Sequence, residues 1–298
     1  MKKAAFVALV GRPSVGKSTL VNCICGEKVA IVSAVPQTTR NAIRGIVNRE
    51  QGQLVFIDTP GRYQSEKKSN KKLLEVSGKA VGESDLVLYV LDVTRPPGAE
   101  DDEIAAFLAP HAGRMVAAVN KIDMPGNDSR QTCEFLSRNF PALPENRRFL
   151  VSGKTGEGIE AMLSALYDMA PEDEPFYDEE YYTDQEVDFR IAEIIREQAI
   201  IRLRQELPHA LRVDIADAQF TEAGSPGAPD AQGASNSPGG GRLWVRAFIV
   251  VERESQKGIV VGKGGAMIKA IRLASLKELR NIFDWKIDLD LKVKTGKM

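Results

Sequence analysis

The sequence predicts an α/β protein with a doubly wound, mostly parallel sheet, followed by a smaller α+β domain. In residues 1–171 short apolar runs alternate with amphipathic helical stretches, which is the pattern of strands covered by helices on both faces. A glycine-rich turn joins the first apolar run to the first helix. After residue 188 the order changes to helix, strand, strand, helix, helix, strand, which indicates a second fold.

The apolar runs of the first part predict its strands. These are AAFVALV (4–10), LVFI (54–57), LVLYVL (86–91), MVAAV (115–119) and FLV (149–151). GIV (45–47) begins a further strand, predicted to lie antiparallel at the edge beside residues 54–57. The amphipathic stretches 68–81, 100–108 and 158–169 predict helices between the strands.

The chain divides into three parts by composition. Residues 1–171 form the predicted first domain, and residues 172–187 read as an acidic, proline-punctuated linker. Nine acidic residues lie in residues 171–188, with Asp188 as the ninth. Residues 188–298 form the predicted second domain, in which residues 221–241, mostly Gly, Ala, Ser, Pro, Asp and Asn, predict a flexible insertion.

Composition excludes several classes of protein. With 298 residues, 43% hydrophobic, and a net charge of -1, the chain can bury two cores and is not intrinsically disordered. No apolar run approaches the roughly 20 residues of a membrane span. MKKAAFVALV resembles a signal peptide, but it runs directly into the glycine turn and predicts a first strand. Three cysteines make no disulfide framework and two histidines favour no metal site, so we expect a cytoplasmic protein.

The near-zero net charge hides an asymmetry between the two ends of the chain. Residues 242–298 carry 13 Lys and Arg against 6 Asp and Glu, a net of +7, which leaves −8 for the rest. A basic end indicates a polyanionic partner. A charged, solvated face explains it equally well, and charge alone does not decide between them.

The glycine turn is a phosphate-binding loop. GRPSVGKS (residues 11–18) fits G-x-x-x-x-G-K-[ST] between a strand and a helix, so its backbone N–H groups can cradle phosphate at the helix N-terminus. Lys17 supplies charge to the β- and γ-phosphates, and the Ser18 hydroxyl is a ligand for Mg²⁺. The loop residues expected to contact nucleotide are Gly11, Ser14, Val15, Gly16, Lys17, Ser18 and Thr19.

The base is predicted to be guanine. NKID (residues 120–123) ends a strand, where the Asp123 carboxylate can accept both donors of the guanine edge, a pair that adenine lacks. Asn120 and the stem of Lys121 are expected to fix the phosphate loop and cover the base. After the next strand, Ser152, Gly153 and Lys154 can offer a backbone N–H to the guanine oxygen.

Two further segments are expected to sense the γ-phosphate. In DTPG (residues 58–61) Asp58 is predicted to hold Mg²⁺ through water and the Gly61 amide to contact the γ-phosphate; a plain turn is the alternative. In PQTTR (residues 36–40) a threonine hydroxyl, Thr39 with Thr38 in reserve, completes the Mg²⁺ ligands only while the γ-phosphate is present. Catalysis is assigned to Lys17, Thr39 and Gly61, and we expect slow hydrolysis.

A second motif predicts single-stranded RNA as a ligand. GKGG (residues 262–265) is the GXXG loop with which KH domains clamp about four nucleotides, here between two helices of a basic α+β domain. A helix cap and turn is the alternative. The residues expected to contact RNA are Lys257, Ile259, Val260, Gly262, Lys263, Gly264, Gly265, Met267, Lys269 and Arg272.

The whole chain resembles the Era family of bacterial ribosome-assembly GTPases. The resemblance rests jointly on PQTTR, DTPG, NKID, EIIREQ and VERESQKGIVVGKGGAMIKAI. It implies a P-loop GTPase domain followed by a type II KH domain, with Mg²⁺ as cofactor and GTP as substrate. It further implies binding of the 3′ end of 16S ribosomal RNA, assembly of the 30S particle and weak peripheral membrane contact. We expect a monomer, because no exposed apolar stripe stands out.

Three positions depart from the family pattern. Ser14 replaces the usual asparagine, which in related GTPases helps hold a monovalent cation, so potassium stimulation is not implied. Arg62 follows DTPG; it is either a charge stabiliser or a solvated side chain. The chain ends in KVKTGKM without the family's usual tryptophan and arginine. A rival hypothesis is an RNA-binding module with GTP as a structural or regulatory ligand. A tRNA-modifying GTPase is disfavoured for lack of a catalytic cysteine.

Overall fold

The structure, a computed structural model, describes residues 2–32, 43–58, 78–126, 128–203, 211–222 and 241–297. They form two compact units, of which the first ends at Asp184 and the second begins at Gln185. Within the described ranges no helix has the length and apolar character needed to cross a bilayer.

A six-stranded sheet forms the centre of the first unit. Its strands are β1 (Lys3–Val10), β2 (Ile43–Arg49), β3 (Gly52–Asp58), β4 (Leu86–Asp92), β5 (Met115–Asn120) and β6 (Arg148–Leu150). Their order is β2-β3-β1-β4-β5-β6, with β2 antiparallel to β3 and the other pairs parallel. Every residue of β3 and β4 is buried, as expected for parallel strands covered on both faces. The predicted doubly wound sheet with an antiparallel edge strand is confirmed.

Helices cover both faces of this sheet. They are α1 (Lys17–Cys25), α2 (Ala99–Leu108), α3 (Arg130–Asn139) and α4 (Ile159–Met169), and residues 78–82 are also helical. Successive residues of β4 point to opposite faces. Leu88 and Val90 join the core formed with α1 and α4, whereas Tyr89 and Leu91 join the core formed with α2 and α3.

Residues 172–184, which we call the edge segment, fall within the predicted acidic linker (172–187) and belong to the first unit in the structure. They pack along β2, the outermost strand, whose Ile46 N–H donates to Tyr182 O at 2.9 Å. The Thr183 hydroxyl donates to Arg44 O at 2.8 Å, and Phe176 stacks on Phe6 at 4.4 Å between ring centroids. The acidic composition hid this because the contacts are made largely by backbone atoms that complete the open edge of a sheet.

The second unit is a three-stranded sheet with helices on one face. Its elements are α5 (Val187–Leu203), β7 (Leu211–Glu222), β8 (Gly241–Val251), α6 (Glu254–Val261), a 3₁₀ turn (Lys263–Gly265), α7 (Ala266–Ile282) and β9 (Lys286–Thr295). Strand β8 is central, antiparallel to β7 and parallel to β9. The element order and the single core are those predicted for the α+β domain. Of the predicted insertion, residues 223–240 lie outside the described ranges.

Candidate functional site

The predicted nucleotide residues lie at the carboxyl ends of the strands in the first unit. The loop of residues 11–16 follows β1, Asp58 ends β3, Asn120 ends β5, and residues 152–154 follow β6. Open α/β sheets bind ligands at this edge. The fold therefore brings four separated motifs to one place.

Close packing explains the two glycines of the loop. A Cβ on Gly11 would lie 2.3 Å from Val90 O, and one on Gly16 would lie 2.5 Å from Asn120 Nδ2. Gly16 also has φ +97°, in the left-handed region that favours glycine. No side chain caps the N-terminus of α1 at Gly16, so its first amides face the loop and can bind an anion.

Lys17 is held inside the loop by two carbonyls. Its Nζ donates to Gly11 O at 2.8 Å and to Arg12 O at 2.9 Å. Burial lowers the pKa of Lys17, and the negative charge of Asp58 partly opposes this. A phosphate bound in the loop would raise the pKa of Lys17 again, because its negative charge stabilises the ammonium form.

Ser18 and Asp58 form a pair suited to a hard cation. The Ser18 hydroxyl donates to Asp58 Oδ2 at 2.7 Å, and the Asp58 side chain is buried at the end of β3. Hydroxyl and carboxylate oxygens are the ligands that Mg²⁺ prefers, so the donors fit this ion. Thr39 and Gly61, the other predicted γ-phosphate sensors, lie outside the described residues, as do Thr38 and Arg62.

Asn120 ties the phosphate loop to the loop after β6. Its Nδ2 donates to Val15 O at 2.9 Å, and its Oδ1 accepts the Gly153 N–H at 3.0 Å. Lys121, with φ +72°, donates from Nζ to Ser14 O at 2.7 Å. These contacts place both side chains where the sequence expected them to hold the loop.

Lys121 is itself fixed by Asp92, which the sequence analysis missed. Lys121 Nζ lies 2.7 Å from Asp92 Oδ2. Burial disfavours the charged form of Asp92, but hydrogen bonds from Lys121 and Thr94 outweigh it and lower the pKa. The signal was available, because Asp92 ends β4 as Asp58 ends β3.

Asp123, the carboxylate predicted to recognise the base, is held by Ser152. The buried Ser152 hydroxyl donates to Asp123 Oδ1 at 2.7 Å and accepts the Lys154 N–H at 3.2 Å. Lys154 Nζ lies 4.0 Å from Asp123 Oδ2. This leaves a fixed, partly exposed carboxylate at the edge of the sheet where the sequence predicts the base.

The predicted RNA loop joins α6 to α7 in the second unit. Gly262, Gly264 and Gly265 have φ of +73°, +60° and +79°. A Cβ on Gly262 would meet Met267 Cβ at 2.7 Å, whereas one on Gly264 would meet nothing within 4 Å. Lys263 and Gly264 are exposed, so the backbone and one cation face solvent where phosphate can approach.

The residues flanking the loop divide into exposed and buried ones. Ile259 is 44% exposed and Lys269 is exposed, whereas Met267 is half-buried against the core and Lys257 pairs with Glu254 at 3.2 Å. Val260 is 0% exposed and belongs to the core of the unit. Its predicted contact with bases is wrong in this structure, because α6 turns that side chain toward the sheet.

Arg272 borders a cleft beside β9. Its Nε donates to Leu289 O at 2.6 Å, and the residue lines a cleft of about 320 Å³. Trp244 and residues 288–291 complete the lining. The arginine therefore lies at a concave surface but is already anchored to the sheet.

Comparisons with known proteins agree with both sites. A family model described as "50S ribosome-binding GTPase" matches residues 6–121, and one described as "KH domain" matches residues 233–297. The GTPase Era of Treponema denticola is 47% identical over 99% of this chain and 95% of its own length. That of Borreliella burgdorferi is 39% identical over the same shares. The chain belongs to the Era family of GTPases.

Solved Era structures match the whole chain. One, an Era in complex with MgGDPNP and nucleotides 1506–1542 of 16S ribosomal RNA, has a TM-score of 0.85 at 30% identity and covers 99% of this chain and 94% of that one. An Aquifex aeolicus Era variant bound to GDP and AlF₄⁻ has a TM-score of 0.84 at 30% identity, with the same coverage. The predicted P-loop GTPase and KH domains are confirmed, and the protein is a GTPase that uses Mg²⁺ and GTP.

One buried ion pair in this Era-family chain had no signal in the sequence. Arg12, inside the phosphate loop, reaches Asp101 of α2, with Nη1 2.7 Å from Oδ2 and side chains only 5% and 2% exposed. Asp101 also accepts the Gly98 N–H at 2.9 Å and so caps α2. The pair fixes the peptide whose carbonyl holds Lys17.

Proposed function

We propose that this chain is a GTP-hydrolysing molecular switch that binds the 3′ end of 16S ribosomal RNA through its KH unit and assists 30S assembly. The observation that carries the proposal is the match over the whole chain to an Era bound to MgGDPNP and 16S ribosomal RNA. Among the described residues, the phosphate loop is suited to the nucleotide and the GXXG loop to the RNA.

Different residues of the first unit act on the base, the phosphates and the magnesium ion. Asp123, held by Ser152, selects guanine by accepting two donors. Asn120 holds the phosphate loop at a fixed position relative to the loop after β6. Lys17 exchanges its two carbonyl partners for phosphate oxygens, which places its charge where negative charge develops. Ser18 and Asp58 would hold Mg²⁺, which neutralises phosphate charge when bound.

The switch lies in the two segments that sense the γ-phosphate. In this proposal Thr39 and Gly61 contact the γ-phosphate side, so residues 36–40 and 58–65 take up one arrangement with GTP and another after hydrolysis. The GTP state permits binding of RNA and of the 30S particle, and hydrolysis ends it. Catalysis rests on Lys17 and on backbone amides, so hydrolysis is slow without the ribosomal particle.

The proposal extends to partners and location. The protein acts in the cytoplasm as a monomer, with 16S ribosomal RNA and the 30S particle as its partners. Weak peripheral contact with the membrane belongs to the proposal as an implication of the family resemblance. Sedimentation of the protein alone, with liposomes and with 30S particles tests each statement separately; a dimer or tight liposome binding contradicts it.

RNA binding in three nucleotide states tests the switch. A labelled single strand matching the 16S 3′ end is titrated at fixed salt with a GTP analogue, GDP or no nucleotide. We expect the tightest binding with the analogue and its loss in Gly264→Asp. There no atom lies within 4 Å of an added Cβ, but φ of +60° strains a side chain and the added charge repels phosphate. Equal binding in all three states contradicts the switch.

Phosphate release separates the enzyme from its rival, an RNA-binding module with GTP as a regulatory ligand. Multiple-turnover release is measured with and without small subunits, using Lys17→Ala as the inactive control. We expect slow release alone and faster release with 30S particles. No release above the Lys17→Ala level in either condition favours the module.

A further inference from the structure

A line of exposed residues runs down the solvent face of α7 from the GXXG loop. Lys269, Leu273, Lys277 and Arg280, which we call the α7 stripe, are spaced by four, four and three residues and are all exposed. At 3.6 residues per turn they share one side of the helix. The stripe covers about 17 Å from its first residue to its last, at a rise of about 1.5 Å per residue.

The three cations of the stripe have no acidic partner among the described residues. Within the part of the chain that the structure describes, Lys269, Lys277 and Arg280 form no ion pair or side-chain hydrogen bond. Glu278, the one acidic residue of α7, lies about 100° around the helix from Lys277. Lys263 in the loop is likewise unpaired among the described residues, so the positive charge continues from loop to stripe.

On the opposite face of the same unit, the outer face of the sheet, cations are paired with carboxylates. Five pairs of a cation with an aspartate lie on the outer face of the sheet, either within one strand or between two strands. These pairs are Arg212–Asp214, Arg242–Asp288, Arg246–Asp290, Lys292–Asp290 and Lys294–Asp214. A phosphate approaching that face would compete with a carboxylate for each of these cations. On the stripe it would meet no such competitor among the residues that the structure describes.

We propose that the α7 stripe is a phosphate track along which RNA continues after it leaves the GXXG loop. The proposal rests on the proposed function and deepens it, because a GXXG loop alone clamps about four nucleotides. Lys269, Lys277 and Arg280 neutralise phosphates of the following nucleotides, and Leu273, 53% exposed between them, contacts a ribose or base. Contacts of this kind are independent of base sequence.

The length of the RNA provides the test. Two single strands from the 16S 3′ end, of about five and about twelve nucleotides, are titrated from about 50 to about 200 mM salt against the full chain and Lys277→Gln/Arg280→Gln. For the longer RNA we expect the slope of log K against log salt to fall by about 1.4, from about 0.7 for each lost phosphate contact. The affinity that the variant loses relative to wild type is therefore about 25-fold greater at 0.1 M salt than at 1 M salt. For the shorter RNA we expect no change.

Two control variants separate contact from bulk charge and from folding. Arg242→Gln/Lys292→Gln removes the same charge from the paired outer face and should leave both slopes unchanged. Lys277→Arg/Arg280→Lys keeps the charge and should retain wild-type binding. Because Arg280 lies in the last turn of α7 and also stabilises the helix dipole, the unfolding midpoint is measured for every variant.

The outcomes separate a failure of the phosphate track from a failure of the proposed function. An unchanged slope for the longer RNA overturns the track, as does an equal fall with the shorter RNA or in the outer-face control. Failure of the wild-type chain to bind either RNA contradicts the proposed function itself.

Discussion

Replacing Arg12 by methionine removes one half of the buried ion pair beneath the phosphate loop. Both side chains of the pair are almost fully buried, so the Asp101 carboxylate would be left in a site that excludes water. Removing one partner of such a pair costs about 3–5 kcal/mol. We expect the first unit of Arg12→Met to lose that much stability and Arg12→Met/Asp101→Leu to recover most of it, because the double variant buries no charge.

The loss should depend on pH. Burial raises the pKa of Asp101, while the Gly98 N–H and the Arg12 guanidinium oppose that rise. In Arg12→Met the pKa rises further, because one opposing charge is gone. A carboxyl with a higher pKa in the folded state stabilises the fold below its unfolded pKa of about 3.9, and this contribution is lost as pH rises through the folded pKa. The free energy of unfolding that Arg12→Met loses relative to wild type is therefore larger at about pH 8 than at about pH 5.

Urea unfolding followed by two probes measures the effect. Both tryptophans, Trp244 and Trp285, belong to the second unit, so fluorescence reports that unit, and far-UV circular dichroism reports both. We expect the dichroism transition to shift in Arg12→Met while the fluorescence transition stays in place. A loss below about 1 kcal/mol that is equal at both pH values would refute the reasoning, because a buried unpaired carboxylate cannot behave so.

Three further substitutions test the two sites. Asn120→Ala leaves two buried backbone groups without their partner, at a cost of about 1 kcal/mol each. The affinities for GTP and for GDP should therefore both fall by about 30-fold in a fluorescent-nucleotide titration. A loss confined to GTP contradicts this. Asp123→Asn should lower the preference for GTP over inosine triphosphate, which lacks the exocyclic amine, by about tenfold or more in competition binding; an unchanged preference contradicts guanine reading by this carboxylate. Gly262→Ala should destabilise the second unit by about 1–3 kcal/mol in urea and weaken RNA binding, whereas Gly258→Ala, with open space in α6, should do neither.

The sequence predicted the parts of the fold whose signal is local. The strand runs, the phosphate loop and NKID each carry their chemistry within a few consecutive residues, and parallel strands bring such strand ends to one edge without further information. The GXXG loop was found for the same reason, since its glycines and flanking helices are contiguous.

Features that depend on distant partners escaped prediction. Arg12 and Asp101 lie far apart in sequence, and an aspartate in the first turn of a helix already has a sufficient local explanation as a cap. Val260 was misplaced because residues 259–261 are all apolar, and such a run does not show which side faces the core. Composition alone predicts a linker for the edge segment, because the segment contacts β2 mainly through its own backbone atoms, which composition does not report.

The edge segment has a consequence for how the first unit is made and how it can be cut. During synthesis β2 and β3 emerge long before residues 172–184, so the backbone of β2 stays open to pairing with other chains until those residues arrive. A fragment ending at residue 171 would keep that aggregation-prone strand bare permanently. A fragment ending at residue 184 would keep the edge segment that covers β2. An isolated GTPase fragment should therefore end at residue 184.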